Sequence, residues 1–234
     1  MGRNFTRVST ASHYYDVIAT DYDRLIRADA RNTVVRQSVQ AYFSSKVDRP
    51  VVMDFGGGTG LDLPWLLPIS RKIYFCEPSP KMRGIATERV SNHPMRDRII
   101  FLDDPASQIS NWSPDISIPE KMDACLANFA VLNNIRDPGM AFEKLASVIN
   151  PGGDLILNVL DTRLKTLVAR YPGAFLRSFF SPEVITYTKF QGVTQSVYLH
   201  PLEKLKLSAN PYFELSDTVR LKASGFLLVH LKRR

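Results

Sequence analysis

Short apolar runs alternate with helix-like segments along most of this sequence. Five runs have the length and the apolar content of strands that are buried on both faces. They are RPVVMDF (49–55), KIYFCE (72–77), RIIFL (98–102), KMDACLANF (121–129) and GGDLILNVL (152–160). The helix-like segments are LDLPWLLPIS, SPKMRGIATERVSN and PGMAFEKLASVINPGG, and the stretch 103–120 is the least regular. This alternation predicts an α/β fold, with parallel strands joined by right-handed crossovers.

The composition is that of a soluble globular protein. The 234 residues are 44% hydrophobic and 23% charged, which is enough for one domain with a substantial core. A signal-peptide pattern and a long uncharged apolar run are both lacking, so we expect a cytoplasmic protein without membrane contact. Cys76 and Cys125 lie in apolar runs, which predicts buried free thiols and neither a disulfide nor a metal site.

The net charge of +7 is the one compositional hint of a polyanionic partner. Residues 51–199 are nevertheless balanced in charge, and the basic excess lies at the two ends of the chain. The basic run Lys232-Arg233-Arg234 is short and typical of a solvated tail. The distribution therefore argues against a nucleic-acid partner.

The first strand-like run ends in a glycine-rich turn, DFGGGTG (54–60). Such a turn lets a ligand approach the backbone closely at the start of a helix. A dinucleotide fingerprint would need a glycine at position 61 or 63, and both positions are leucine. A P-loop would need Gly-Lys-Ser/Thr, which does not follow. The turn therefore fits neither of these two common nucleotide motifs.

The pattern Asp54-x-Gly56-x-Gly58-x-Gly60 resembles that of the class I S-adenosylmethionine-dependent methyltransferases. The second strand ends at Glu77, where this family has an acid that holds the ribose hydroxyls, and MDACLANFAVLNNIRDP and LASVINPGGDLIL resemble its fourth and fifth strand regions. The resemblance implies S-adenosyl-L-methionine as cofactor. The residues that it places against the cofactor are Asp54, Gly56, Gly58, Gly60, Glu77, Pro78, Asp104, Asn128, Tyr15 and Tyr22.

Two of these assignments have alternatives. The acid that accepts from the adenine amino group is Asp104, or Asp103, and an Asp-Pro turn is the other explanation of that segment. Tyr15 and Tyr22 lie seven residues apart in HYYDVIATDYDRLIR, which resembles the helical lid of the family. At this spacing they share a helix face, where ordinary packing is the alternative to a cofactor contact.

The resemblance also implies the remaining architecture. The expected sheet is doubly wound and mostly parallel, with seven strands in the order 3-2-1-4-5-7-6 and helices on both faces. We expect one domain, divided into an N-terminal helical lid (1–47), a cofactor-binding core (48–161), an insert after strand five (162–200), and a C-terminal helix with an antiparallel strand pair (201–234). The insert and the lid would form the acceptor pocket, and a plain hydrophobic cap is the alternative.

The predicted function is methyl transfer to a small metabolite or natural product, by in-line attack on the sulfonium methyl group. Alignment and desolvation can supply about 7 to 11 kcal/mol of the rate enhancement, so a base is optional. His13 and His200 are the candidates for a base. The Asn-Pro-Pro-aromatic motif of base- and glutamine-methylating enzymes is absent after strand four. An RNA methyltransferase and a noncatalytic S-adenosylmethionine-binding or scaffold protein remain the alternatives.

Overall fold

The computed structural model describes residues 10–112, 118–178, 183–221 and 224–234, so parts of the predicted lid, of the 103–120 segment and of the insert lie outside the described residues. The strands are β1 (Val51–Phe55), β2 (Lys72–Cys76), β3 (Ile99–Phe101), β4 (Met122–Ala127), β5 (Ile149–Leu160), β6 (Val184–Phe190), β7 (Val193–Leu199), β8 (Phe213–Leu221) and β9 (Phe226–Arg233). Seven of them form one sheet in the order β3-β2-β1-β4-β5-β9-β8. The first five strands in this sheet are parallel, and β9 and β8 are antiparallel to their neighbours.

Helices cover both faces of the sheet. They are α1 (Ala11–Ala28), α2 (Ala30–Lys46), α3 (Leu63–Ile69), α4 (Pro80–Arg89), α5 (Asp104–Ser107), α6 (Pro138–Val148), α7 (Leu164–Arg170), α8 (Pro172–Ser178) and α9 (Leu202–Ala209). Leu145 of α6 and Leu205 of α9 pack in one core with Met53, and Phe43 of α2 packs in the other core with Val52. Neighbouring residues of β1 thus belong to opposite cores, as the two-residue period of a strand requires.

The predicted α/β class and the five parallel strands are confirmed, but the strand order differs from 3-2-1-4-5-7-6. The segment from Val184 to Leu199, which lies in the expected insert after strand five, forms the separate antiparallel hairpin β6–β7. This hairpin takes two strand numbers without joining the main sheet, so the last two positions of the sheet belong to β9 and β8. β5 also begins at Ile149, earlier than expected. Pro151 and the two glycines after it belong to the first part of this strand, where the pairing with β4 shifts register.

The two N-terminal helices are joined through a single residue. Asp29 is both the C-cap of α1 and the N-cap of α2, and its carboxylate accepts from the amide of Arg31 at 3.0 Å. α2 is tied to the sheet at its far end, where the Tyr42 hydroxyl donates to Asp217 at 2.9 Å and lies 3.1 Å from Nδ1 of His230. Within the described residues, no helix combines the length and the apolar content needed to cross a membrane.

Candidate active site

A cavity of about 230 Å³ lies at the carboxyl ends of β1, β2 and β4, beneath α1. This is the edge at which ligands bind in open parallel sheets. Seven of the ten residues predicted to contact a cofactor line the cavity: Gly56, Gly58, Glu77, Pro78, Asn128, Tyr15 and Tyr22. Asp54, Gly60 and Asp104 do not line it. Further lining residues, not predicted, are Met82, Ser107, Gln108, Ile109, Phe129, Val131, Asn134 and Ile135.

The glycine turn places a bare backbone against this cavity. Gly58 has a φ of +58°, and a Cβ atom built on it would have only the Tyr22 ring within 4 Å, at 4.0 Å. A side chain at position 58 would therefore project into open space in the cavity. Its amide donates to Oε2 of Glu77 at 2.9 Å, which joins the end of β1 to the end of β2.

The other two glycines of the motif are required by protein packing. A Cβ atom on Gly56 would lie 2.5 Å from the Val131 side chain, and one on Gly60 would lie 2.9 Å from Cβ of Ala86 in α4. Both residues also have positive φ angles, of +71° and +74°. Gly60 thus permits the close approach of the turn to α4, without itself lining the cavity.

Glu77 is a buried carboxylate at the centre of the cavity wall. It is 6% exposed, and Oε1 accepts from the Ser79 amide at 2.7 Å. Burial raises the pKa of Glu77 to about 7, against the lowering effect of hydrogen bonds from the amides of Ser79 and Gly58. A carboxyl group with this pKa is balanced between its charged and neutral forms near neutral pH, so a ligand that donates hydrogen bonds to it favours the charged form.

Asp54 lies beneath the glycine turn with one oxygen unpaired. The residue is 1% exposed, and its Oδ2 atom has no hydrogen-bond partner among the described residues. Burial, and then the nearby charge of Asp62, raises the pKa of Asp54 well above its usual range. A buried acceptor without a partner is costly, and it is typical of a site that a ligand or water completes.

A buried polar network joins the glycine turn to β4 and β5. Asp62 forms an ion pair with Arg36 of α2 and accepts from Nε1 of Trp65 at 2.9 Å and from Nδ2 of Asn128 at 3.0 Å. Oδ1 of Asn128 accepts from Nδ2 of Asn158 at 2.8 Å. The network fixes the orientation of the Asn128 side chain in the cavity wall.

The same network holds an unusual turn after β4. Phe129 and Ala130 have φ angles of +56° and +59°, a region that costs residues with a Cβ atom about 1 to 2 kcal/mol each. The amide of Phe129 donates to Oδ1 of Asn128 at 2.9 Å, and the amide of Ala130 donates to Oδ1 of Asn158 at 3.0 Å. The guanidinium of Arg36 lies 4.6 Å from the centre of the Phe129 ring. These contacts offset the backbone strain and present Phe129 to the cavity.

Two tyrosines of α1 cover the cavity. The rings of Tyr15 and Tyr22 are 6.3 Å apart and nearly perpendicular, and the Tyr15 hydroxyl accepts from Nδ2 of Asn134 at 3.3 Å. Burial raises the pKa of Tyr15 to about 12 and raises that of Tyr22 further. Both hydroxyls therefore stay protonated at neutral pH.

Two carboxylates of α1 attach this helix to the core. Asp16 accepts from the Ser79 hydroxyl at 2.6 Å and from the Lys81 amide at 3.2 Å. Asp23 accepts from the Thr59 hydroxyl at 2.5 Å and pairs with Arg89. These are charge-assisted contacts, and each carboxylate directly follows one of the two tyrosines in the chain, so α1 is held across the cavity.

Neither histidine proposed as a base lies in the cavity wall. His13 is exposed on the first turn of α1, and His200 is buried with its Nε2 atom 2.9 Å from the carbonyl oxygen of Ile135. Burial lowers the pKa of His200. Asp104 is also outside the cavity, because it is exposed and pairs with Arg83. The wall near the end of β3 is formed by Ser107, Gln108 and Ile109 in its place.

Several residues of the site were missed by sequence reasoning. Asp62 follows the last glycine by two positions, and Asn158 interrupts the apolar run LILNVL. A polar residue within a strand that reads as buried is a recognisable signal, because burial requires it to find a hydrogen-bond partner. The partners of these residues are distant in the chain and could not be read from the sequence. Among the described residues, no cluster of three His, Cys, Asp or Glu side chains could hold a metal ion.

Comparisons with known proteins agree with this geometry. The family described as a methyltransferase domain matches residues 26–191. An uncharacterized methyltransferase of Geobacillus kaustophilus is 27% identical over 161 residues, which is 67% of this chain and 66% of that protein. The chain therefore matches just under two thirds of the length of that relative.

Solved structures share the fold at low sequence identity. The N-methyltransferase NodS from Bradyrhizobium japonicum, in complex with S-adenosyl-L-homocysteine, is 14% identical with a TM-score of 0.68, over 96% of this chain and 99% of that chain. The DhpI–SAM–HEP complex is 18% identical with a TM-score of 0.69, over 97% of this chain and all (100%) of that chain. With the family match over most of the chain, these findings show that this protein belongs to the class I S-adenosylmethionine-dependent methyltransferases.

Proposed function

We propose that this chain transfers a methyl group from S-adenosylmethionine to a small metabolite or natural-product acceptor, and that it binds S-adenosylmethionine in the cavity beneath α1. The observation that carries the proposal is the pairing of Gly58 with Glu77. The amide nitrogen of Gly58, which has no side chain, lies 2.9 Å from Oε2 of the buried Glu77 carboxylate, and both residues line the cavity. This combination suits a ligand that needs both close backbone approach and an acceptor for hydroxyl groups.

The cavity wall supports an assignment of each part of the cofactor. Glu77 would accept from the ribose hydroxyls, and Pro78, Met82 and Ile109 offer apolar surfaces to the adenine ring. Gly56, Gly58 and Asn128 also line the cavity, and we assign them to the end that would bind the methionyl part.

The cofactor, when bound, supplies an activated methyl group on a positively charged sulfur. The residues around it would align the acceptor and exclude water. The rings of Tyr15, Tyr22 and Phe129 stand at this end of the cavity, and their faces can stabilise a nearby cation by about 0.5 to 2 kcal/mol. Both tyrosines are protonated at neutral pH, so they act as hydrogen-bond donors and not as bases.

The way in which α1 covers the cavity favours a small acceptor. α1 crosses the cavity and is fixed on both sides by Asp16 and Asp23, so a folded macromolecule could not reach the cavity without moving this helix. The hairpin β6–β7 packs beside it, with Nε2 of Gln195 donating to Oδ1 of Asn134 at 2.6 Å. We assign α1 the role of a lid and the hairpin a part in the acceptor pocket. NodS is an N-methyltransferase and MtfA, another neighbour in fold, is a glycopeptide N-methyltransferase.

The variant Glu77→Ala tests the cofactor assignment. Hydrogen bonds to a charged group contribute about 1.5 to 3 kcal/mol, so we expect the affinities for S-adenosylmethionine and S-adenosylhomocysteine to fall together, by about 10- to 150-fold. Glu143→Ala is the matched control, because Glu143 is an exposed glutamate on α6. Isothermal titration calorimetry on folded protein measures both affinities. Unchanged binding by Glu77→Ala would remove the ribose assignment.

Turnover separates an enzyme from a binding protein of the same fold. A screen of small-molecule fractions with a labelled methyl donor should yield a labelled small product in the presence of the wild-type protein. Tight binding of S-adenosylmethionine without transfer to any fraction would favour the noncatalytic alternative. Transfer to RNA, with steep salt dependence, would instead support the RNA methyltransferase alternative.

A further inference from the structure

A second pocket opens at the same edge of the sheet, beyond the carboxyl end of β5. Its volume is about 420 Å³, and it is bounded by α7, the loop before it, the end of β8 and the start of β9. Four cationic side chains and one carboxylate line it, namely Arg163, Lys165, Arg170, Arg220 and Asp161. Three of the cations come from the segment 163–170, within the insert after strand five.

The single carboxylate is already paired within the protein. Asp161 accepts from Nη2 and Nε of Arg163 at 2.6 and 2.8 Å, and these hydrogen bonds lower its pKa against the effect of burial. Asp161 therefore balances Arg163 alone. Arg170 lies across the turn at Gly225, where a Cβ atom would come within 2.9 Å of its Nε atom, and its charge acts on Asp29. The position of the Arg170 side chain therefore depends on the absence of a side chain at Gly225.

The remaining two cations carry the charge excess of the pocket. Lys165 on α7 and Arg220 on β8 are both exposed, and neither takes part in a salt bridge among the described residues. Both residues line the pocket, Lys165 from α7 and Arg220 from β8. Two cations that face a shared space without a carboxylate partner suit an anionic group that lies between them.

An aromatic pair connects this pocket with the cofactor cavity. Phe129 lines the cavity and Phe226 lines the pocket. Their ring centres are 5.8 Å apart, in an edge-to-face arrangement. The two contacting rings therefore lie where the linings of the two spaces meet. A small molecule lying over these rings could reach both spaces at once.

We infer that the pocket lined by Lys165 and Arg220 binds a carboxylate or phosphate group of the methyl acceptor, whose body lies over Phe129 and Phe226. This inference rests on the proposed function, because it needs the acceptor to react at the cavity. The apolar rings hold the body of the acceptor and orient it, while the cations fix the end remote from the reacting atom. Selection of an anionic acceptor by the pocket then determines which atom reaches the methyl group.

The test uses small aromatic anions as probes of known structure. Full-length protein saturated with S-adenosylhomocysteine is titrated with phenyl phosphate, with benzoate and with the neutral benzyl alcohol, and binding is followed by ¹H–¹⁵N NMR. We expect saturable shifts at the amides of Asp161, Gly225 and Phe226 for the two anions, with much weaker binding of benzyl alcohol. The double variant Lys165→Gln/Arg220→Gln should bind phenyl phosphate about tenfold more weakly. Raising the salt concentration should weaken the wild-type affinity.

Matched measurements make each outcome decisive. Lys204→Gln removes an exposed cation from α9, away from both spaces, and should leave phenyl phosphate binding unchanged. Equal binding by wild type and the double variant, or the absence of saturable binding to the wild type, overturns the anion pocket. Tighter binding of an RNA oligonucleotide through the same two side chains also overturns it, in favour of a polyanion surface. Affinity for S-adenosylhomocysteine is measured separately on each variant, so failure of the cofactor site is distinguished from failure of the pocket.

Discussion

The two ends of the candidate site are built by different means. At the end proposed for the cofactor, Glu77 receives hydrogen bonds from the main-chain amides of Gly58 and Ser79, which lie 19 and 2 residues from it along the chain. At the other end, the turn at Ala130 depends on Asn158, which lies 28 residues away along the chain. The first end is built from main-chain amides around one carboxylate. The second end is built from side-chain amides that hold a main-chain turn.

This difference separates what the fold supplies from what individual side chains supply. A glycine turn that ends a parallel strand exposes amides at the sheet edge in any protein of this architecture. A strained turn such as Phe129–Ala130 needs particular partners, here Asn128 and Asn158, to persist. We therefore expect substitutions at the first end to act on cofactor affinity, and substitutions at the second to act on stability and acceptor choice.

Gly58→Val should give the largest effect. The new side chain would project into the cavity, where the protein leaves it room, so it would occupy ligand space. We expect affinity for S-adenosylhomocysteine to fall by more than about 1,000-fold, equivalent to about 4 kcal/mol, with a near-normal circular dichroism spectrum. Both glycines have positive φ angles, so either valine strains the backbone; Gly60→Val is the contrast because its Cβ atom would also collide with Ala86 and should lower the melting temperature further. Normal cofactor binding by Gly58→Val would contradict the assignment of this turn.

Asn158→Leu should act mainly on stability. The change leaves the Ala130 amide and one acceptor site of Asn128 without partners in a buried region. We expect the free energy of unfolding to fall by about 2 to 4 kcal/mol. Affinity for S-adenosylhomocysteine should change less than threefold or so, because Asp62 still holds Asn128. Urea denaturation compares this variant with Asn150→Ala, at the opposite end of β5. A larger loss in Asn150→Ala would show that the network does not stabilise the turn.

The pH dependence of cofactor binding should be an intermediate effect. Since the pKa of Glu77 is raised to about 7, the carboxyl group gains a proton as the pH falls through neutrality and loses its capacity to accept from two hydroxyls. The affinity for S-adenosylhomocysteine should thus fall about tenfold from pH 8 to pH 6. Calorimetry at several pH values measures this trend. Glu77→Gln should show a flat profile, and an equally steep profile in that variant would assign the titration to another group.

The attachments of α1 should give the smallest effect. Asp23→Asn removes the charge that pairs with Arg89, in a partly exposed position, so a loss of about 0.2 to 1 kcal/mol is expected. This should appear as a faster dissociation of S-adenosylhomocysteine, by about 1.4- to fivefold, in stopped-flow displacement. Asp21→Asn, which affects an exposed pair within α1 alone, is the control. Equal dissociation rates in the two variants would argue against α1 as a lid.

Sequence reasoning reached the parts of the fold that local patterns determine. The strands and their parallel arrangement follow from apolar runs, and Gly58 and Glu77 were found because each lies next to the strand that positions it. The hairpin β6–β7 was missed because its residues alternate only weakly between buried and exposed, so that half of it resembled a loop. Asp104 was expected at the adenine, but its exposed position and its pairing with Arg83 are tertiary outcomes that its turn sequence does not encode.

The single-residue junction at Asp29 limits how the site can exchange its contents. α2 is fixed to the core by Arg36 and Tyr42, so an outward movement of α1 as a rigid helix would turn about the backbone of Asp29, whose φ and ψ are −104° and 107°. Such a movement would be a hinge rotation with its axis at Asp29 and its largest displacement near Thr10, at the other end of α1. Spent cofactor would then leave, and fresh cofactor enter, through the side of the site where α1 begins, beside the adenine end of the cavity.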